Sequence, residues 1–263
     1  MTTTSHDDLP ALWSAARARL GLVVALVAVA ALGWVWTARQ MQGMDAGPWT
    51  ALGSLREFLG VWVVMMAAMM VPSVAPTAAL YARVTSSRSR WLGWWFVAGY
   101  LLVWAAAGVA AFALGAAATH LLGAGLGWVG SGRLLSGATL LGAAAYELTP
   151  LKDVCLGHCR SPLAALLGSW YEGPAGAVQA GVRNGAWCAG CCWALMAALF
   201  ALGVMSVLWM ALVAALATAQ KVLPWRRATT VAAAAVLFGL GLLVLVAPEA
   251  LPVLTVPSSG PMG

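Results

Sequence analysis

Long apolar runs separated by short polar or basic clusters dominate the chain. They cover roughly residues 20–36, 58–81, 91–118, 134–148, 186–220 and 230–246. Nearly uncharged runs of this kind predict membrane-spanning helices, because a hydrocarbon core ~30 Å thick takes ~20 helical residues to cross at ~1.5 Å each. The run at 134–148 is short for that task unless its helix begins in the glycine-rich segment before it. The run at 186–220 is too long for one crossing. As a single helix it would reach ~50 Å, so it reads as one long tilted helix or as two helices turning near residues 203–206.

The pattern predicts an all-α fold, a polytopic transmembrane helical bundle of about seven spans, with six as the alternative. Basic residues favour seven, since cytoplasmic loops carry the excess of arginine and lysine. With the amino terminus inside, seven spans collect Arg17, Arg19, Arg83, Arg88, Arg90, Lys152, Arg160, Arg183, Lys221, Arg226 and Arg227 on the inner side. Only Arg39, Arg56 and Arg133 stay outside. Six spans move the Lys221 cluster across and weaken the asymmetry. The domain reading is a polar tail at 1–19, a bundle at 20–248 with a cysteine-rich cytoplasmic loop at 152–185, and an irregular tail at 249–263. His6, Asp7 and Asp8 belong to the polar tail and read as solvated.

Composition strengthens this picture: 62% of residues are hydrophobic and 8% charged, far from the balance of a soluble domain. The net charge of +6 lies in short clusters between apolar runs, so it speaks for topology and not for nucleic acid. The expected environment is a lipid bilayer, crossed several times. Alanine and glycine interrupt nearly every apolar run, which suits close helix contacts in lipid.

The chemistry is concentrated between residues 152 and 196. KDVCLGHCR holds Cys155, His158 and Cys159, and GAWCAGCCWALM holds Cys188, Cys191 and Cys192. Positions 188, 191 and 192 share one helical face within about one turn, the proximity that one metal ion or a disulfide exchange requires. An odd total of five cysteines rules out complete intramolecular pairing. The spacing is not that of a standard zinc finger, although zinc stays an option beside copper. Met65, Met66, Met69 and Met70 form a second set, paired one turn apart on the second span. Thioether sulfur is a neutral soft ligand that favours Cu(I), while methionine is also ordinary filling of an apolar helix. Pro72 and Pro76 follow and are expected to kink that helix. Glu57, Glu147 and His120 sit near span ends, where solvation is the default reading. There is no nucleotide-binding loop, catalytic triad or hydrolytic carboxylate pair, which argues against ATP-driven pumping and hydrolysis by this chain.

MMAAMMVPS, YELTPLKDVCLGHCRSPL and GAWCAGCCWALMAALFALGVMSVLWM together resemble a bacterial family of metal-binding integral membrane proteins. That family includes the membrane copper chaperone that activates bacterial polyphenol oxidases. The resemblance covers roughly residues 58–246 and implies copper handling, with delivery to a cuproenzyme client. Two positions depart from the family pattern: Asn184 stands where histidine is frequent, and Gln220 where glutamate is frequent.

Three functions are compatible with these residues. In the first, no reaction is catalysed: Cys155, Cys159, Cys188, Cys191 and Cys192, with His158, collect Cu(I), and Met65, Met66, Met69 and Met70 hold or relay it. The second is a membrane thiol oxidoreductase cycling Cys188 with Cys191 or Cys192. The third is an assembly subunit of a larger membrane complex in which the cysteines are structural.

Overall fold

The structure, a computed structural model, describes residues 8–40, 53–85, 91–122, 132–160, 173–203 and 206–247. Among them are eight helices and no strand. They are α1 (Asp8–Gln40), α2 (Leu55–Val84), α3 (Leu92–Leu122), α4 (Arg133–Glu147), α5 (Pro150–Arg160), α6 (Gly173–Leu202), α7 (Val207–Val222) and α8 (Arg226–Val246). Four are long and apolar enough to cross a membrane: α2, the Leu92–Ala118 part of α3, α6 and α8. The Val24–Gln40 part of α1 and the whole of α7 are apolar but shorter.

The apolar runs and the helices coincide in their centres and differ at their ends. Helix α1 already begins at Asp8, within the segment that reads as a polar tail. Helix α2 starts earlier than its apolar run because Ser54 and Glu57 form a reciprocal cap: the Ser54 hydroxyl accepts from the Glu57 amide at 3.4 Å, and the Glu57 carboxylate accepts from the Ser54 amide at 3.2 Å. The long run at 186–220 is two helices. Gly203, at φ 107°, ends α6 in a conformation that only glycine adopts easily, and Ser206 opens α7. The segment 152–185 is not an extended loop over its described parts, being helical through Arg160 and again from Gly173. The part of that segment between residues 161 and 172, Arg88 with Arg90, His6 with Asp7, and the tail beyond residue 247 lie outside the described residues.

Helix α6 is the centre of the bundle, packed against α3, α4, α5 and α7. Around it, α1 packs on α2, α2 on α3 and α7, and α8 on α4 and α7. The tightest approach is between α6 and α3. A Cβ at Gly181 would collide with the Phe96 carbonyl, and one at Gly99 with the Val178 carbonyl. Absent side chains here let two backbones touch, the usual basis of close packing in lipid. Gly181→Ala is therefore expected to push α3 from α6 and destabilise the protein by ~1–3 kcal/mol, read as an earlier thermal unfolding transition in detergent. Large apolar side chains such as Leu32, Leu102, Leu114 and Phe238 face outward, so the exterior is apolar like the core.

Candidate metal centre

The centre is assembled where α6 meets α3, α5 and α7. On α6, Gly181, Gly185, Cys188 and Cys192 follow at steps of four, three and four residues, which places them on one stripe. The glycines admit α3, and Tyr100 of α3 then reaches Cys188, hydroxyl oxygen to Sγ, at 3.0 Å. Cys191 lies one position off the stripe and turns to α5, where its Sγ is 3.5 Å from that of Cys159. The Cys192 Sγ is 3.4 Å from that of Cys191. The sulfurs of Cys159, Cys188 and Cys191 all lie within 4.8 Å of one another, with Cys188 and Cys191 buried and Cys159 half-buried. A metal–thiolate bond of ~2.3 Å places three sulfurs around one ion ~4 Å apart, so the trio fits a single soft ion. Hydrogen bonding to Cys188 is the main cause that holds the Cys159 thiol well above the ordinary thiol range.

Cys159 reaches this point because of how α5 begins and ends. Thr149 caps its first turn, accepting from the Lys152 amide at 3.3 Å, and Pro150 takes a first-turn position where no amide donor is needed. At the other end Arg160 donates to the Gln220 carbonyl at 2.8 Å and to the Leu223 carbonyl, satisfying the last turn of α7. Burial, and then the neighbouring Arg226 guanidinium, pull the Arg160 pKa below its ordinary value. Helices α5 and α7 are thus clamped side by side, and the residues adjoining the clamp, Cys159 and Lys221, both face the thiols.

Lys221 lies in that last turn of α7. Its ammonium donates to the Cys188 sulfur at 3.0 Å, to the Ser73 hydroxyl at 3.2 Å and to the Met70 thioether at 3.5 Å. Met65, Met66, Met69 and Met70 are all buried in the same core as the cysteines, and Met70 is the one linked to them through this ammonium.

The remaining sequence candidates are not part of the trio. Cys155 is buried against Gly190, where an added Cβ would stand 3.1 Å from its sulfur. His158 stacks on Trp187 at 4.1 Å between ring centroids, and its Nδ1 is 2.9 Å from the Val154 carbonyl oxygen. Asn184 is buried on α6. His120 is exposed, as a solvated group should be.

Glu147 and Lys152 correct the reading of span-end charges as solvated. Both are buried, at 2% and 0% exposure, and pair at 2.7 Å. Lys152 also donates to the Cys191 carbonyl, and the Gln220 amide donates to the second oxygen of Glu147, each at 2.5 Å. One buried ion pair therefore ties α4, α5, α6 and α7 together and reaches the cysteine motif at the Cys191 carbonyl. Tyr146 adds a bond from its hydroxyl to the Gly190 carbonyl at 2.7 Å. Sequence reasoning missed Lys221, Tyr100, Ser73 and this pair as parts of the site. The available signals were Tyr100 and Gln220 as polar groups inside apolar runs, and the proximity of Glu147 and Lys152 to the first cysteine motif.

No curated protein and no solved structure matches the chain. The model of the PpoB2 copper chaperone family matches residues 59–244. That segment contains the methionines, both cysteine motifs, the Glu147–Lys152 pair and Lys221, and it spans well over half of the 263 residues. The chain belongs to the PpoB2 copper chaperone family.

Proposed function

We propose that the protein is a multi-pass chaperone of the bacterial inner membrane that takes up Cu(I) on Cys159, Cys188 and Cys191 and hands it to a cuproenzyme client. The observation that carries this reading is the convergence of three free thiols from two helices within 4.8 Å, beside the buried Met70. Three sulfurs suit Cu(I), which is content with few soft ligands, whereas structural zinc takes four. Cys192, whose sulfur lies 3.4 Å from that of Cys191, and farther out Cys155 and His158 serve as exchange partners on entry. Thiolates hold the ion tightly and neutral thioethers hold it loosely, so Met65, Met66, Met69 and Met70 supply the weaker sites that release requires. The four long apolar helices, the two shorter apolar ones, α4 and the apolar exterior support membrane integration through seven spans, with α5 at the cytoplasmic end.

Protein purified without oxygen and titrated with Cu(I) against a competing chelator tests the reading: one tightly held ion per chain is expected. Changing Met65, Met66, Met69 and Met70 together to leucine should leave that ion bound, while slowing its transfer to an apo-cuproenzyme by about tenfold or more as the loose thioether sites are lost. A thiol oxidoreductase is the second reading, favoured by the 3.5 Å contact of Cys159 with Cys191. It makes no use of the methionines, so a quadruple leucine variant with normal activity and no copper in the wild type would move the assignment there.

A further inference from the structure

Lys221 occupies an unusual position for a lysine at the end of an apolar helix. All three donors of its ammonium are committed, to the thiol of Cys188, the thioether of Met70 and the hydroxyl of Ser73. A thioether is a weak acceptor, and an ammonium has little reason to seek one in an apolar core unless another contact sets its place. Here the Cys188 sulfur sets it. The charge therefore stands between the thiol trio on α5 and α6 and the methionines on α2. Tyr100 approaches the same sulfur from α3 at 3.0 Å and brings no charge of its own.

An ion held jointly by Cys188 and Met70 would need the space this ammonium fills. Two cations so close repel strongly in a medium of low dielectric constant, so both cannot occupy it. Lys221 also has somewhere to go. It is half-buried in the last turn of α7, beside the exposed Val222 and Leu223, and a lysine stem can lie along apolar surface while its head moves to water. Ser73 offers an acceptor on the way that is not a metal ligand.

We propose that Lys221 is a cationic gate between the thiol pocket and the methionine stripe. While its ammonium bridges Cys188 and Met70, Cu(I) is confined to the cysteines; once it swings away, Met70 can join the copper shell and draw the ion onward. This rests on the copper reading above and adds a residue that decides when the two sulfur sets communicate.

The test loads wild-type protein, Met70→Leu, Lys221→Leu, Lys221→Gln and Lys221→Leu/Met70→Leu with one Cu(I) each and counts sulfur ligands by copper X-ray absorption. In the wild type, Met70→Leu is expected to leave the copper shell unchanged. Removing the charge is expected to add one thioether sulfur, which disappears again in the double variant. Lys221→Gln repeats the measurement if the leucine variant does not fold. A wild-type shell that already loses a sulfur on Met70→Leu overturns the gate, as does an unaltered shell or loss of copper in the neutral variants. A wild type that takes up no Cu(I) overturns the copper reading and the gate with it.

Discussion

Protein carrying Cys188→Ser, Cys191→Ser and Cys192→Ser is expected to lose its stoichiometric Cu(I) outright. Disturbing a group that only orients a metal ligand costs ~10–100-fold in affinity, and this variant removes two of the three converging thiols, so the loss should be larger. Single substitutions sharpen the assignment. Cys159→Ser should weaken binding, because its sulfur sits 3.5 Å from that of Cys191 although the two are 32 residues apart in the chain. Cys155→Ser should leave the affinity near that of the wild type, since Cys155 is packed against Gly190 and stands apart from the trio. A competition titration reads all three. Equal losses for Cys155 and Cys159 would mean that the ion is held by a different set of sulfurs.

Glu147→Leu should be the most destabilising single change near the site. It leaves the Lys152 ammonium, at 0% exposure, without its carboxylate partner, and an unpaired buried charge costs ~3–5 kcal/mol. The Gln220 amide loses its acceptor as well. The double variant Glu147→Leu/Lys152→Met removes the charge instead of stranding it, and a buried pair replaced by apolar groups of similar volume is often close to neutral. Most of the lost stability should therefore return. Thermal unfolding in detergent distinguishes the cases; a Glu147→Leu protein that melts like the wild type would show that the pair is solvated. The double variant also asks whether the Lys152 bond to the Cys191 carbonyl is needed to aim that thiol, through its Cu(I) affinity.

The apolar runs alone located the interior of almost every helix, because hydrophobic length is a property of the chain read along itself. The break near residue 203 was legible for the same reason, as a run too long for one crossing with a glycine where it had to turn. Steps of three and four residues also placed Cys188, Cys191 and Cys192 on one side of their helix. Helix ends were harder, since the Ser54 cap and the Thr149–Pro150 start of α5 depend on which backbone donors lack partners, not on hydropathy.

The material of the site was thus legible along the chain: an all-helical apolar sequence with two soft-ligand motifs and a methionine stripe. Tertiary structure alone decided which members of those motifs meet. Periodicity gives the face a residue occupies but not the neighbour that face turns to, so nothing local separates Cys159, which joins the trio, from Cys155, which packs on Gly190. Charge shows the same limit. Counted along the chain, Lys152 and Lys221 are two more inner-side cations and Glu147 a solvated end. Folding instead gives Lys152 and Glu147 to each other and Lys221 to Cys188 and Met70, because a charge that leaves water must find its partner in space, however distant that partner is in sequence.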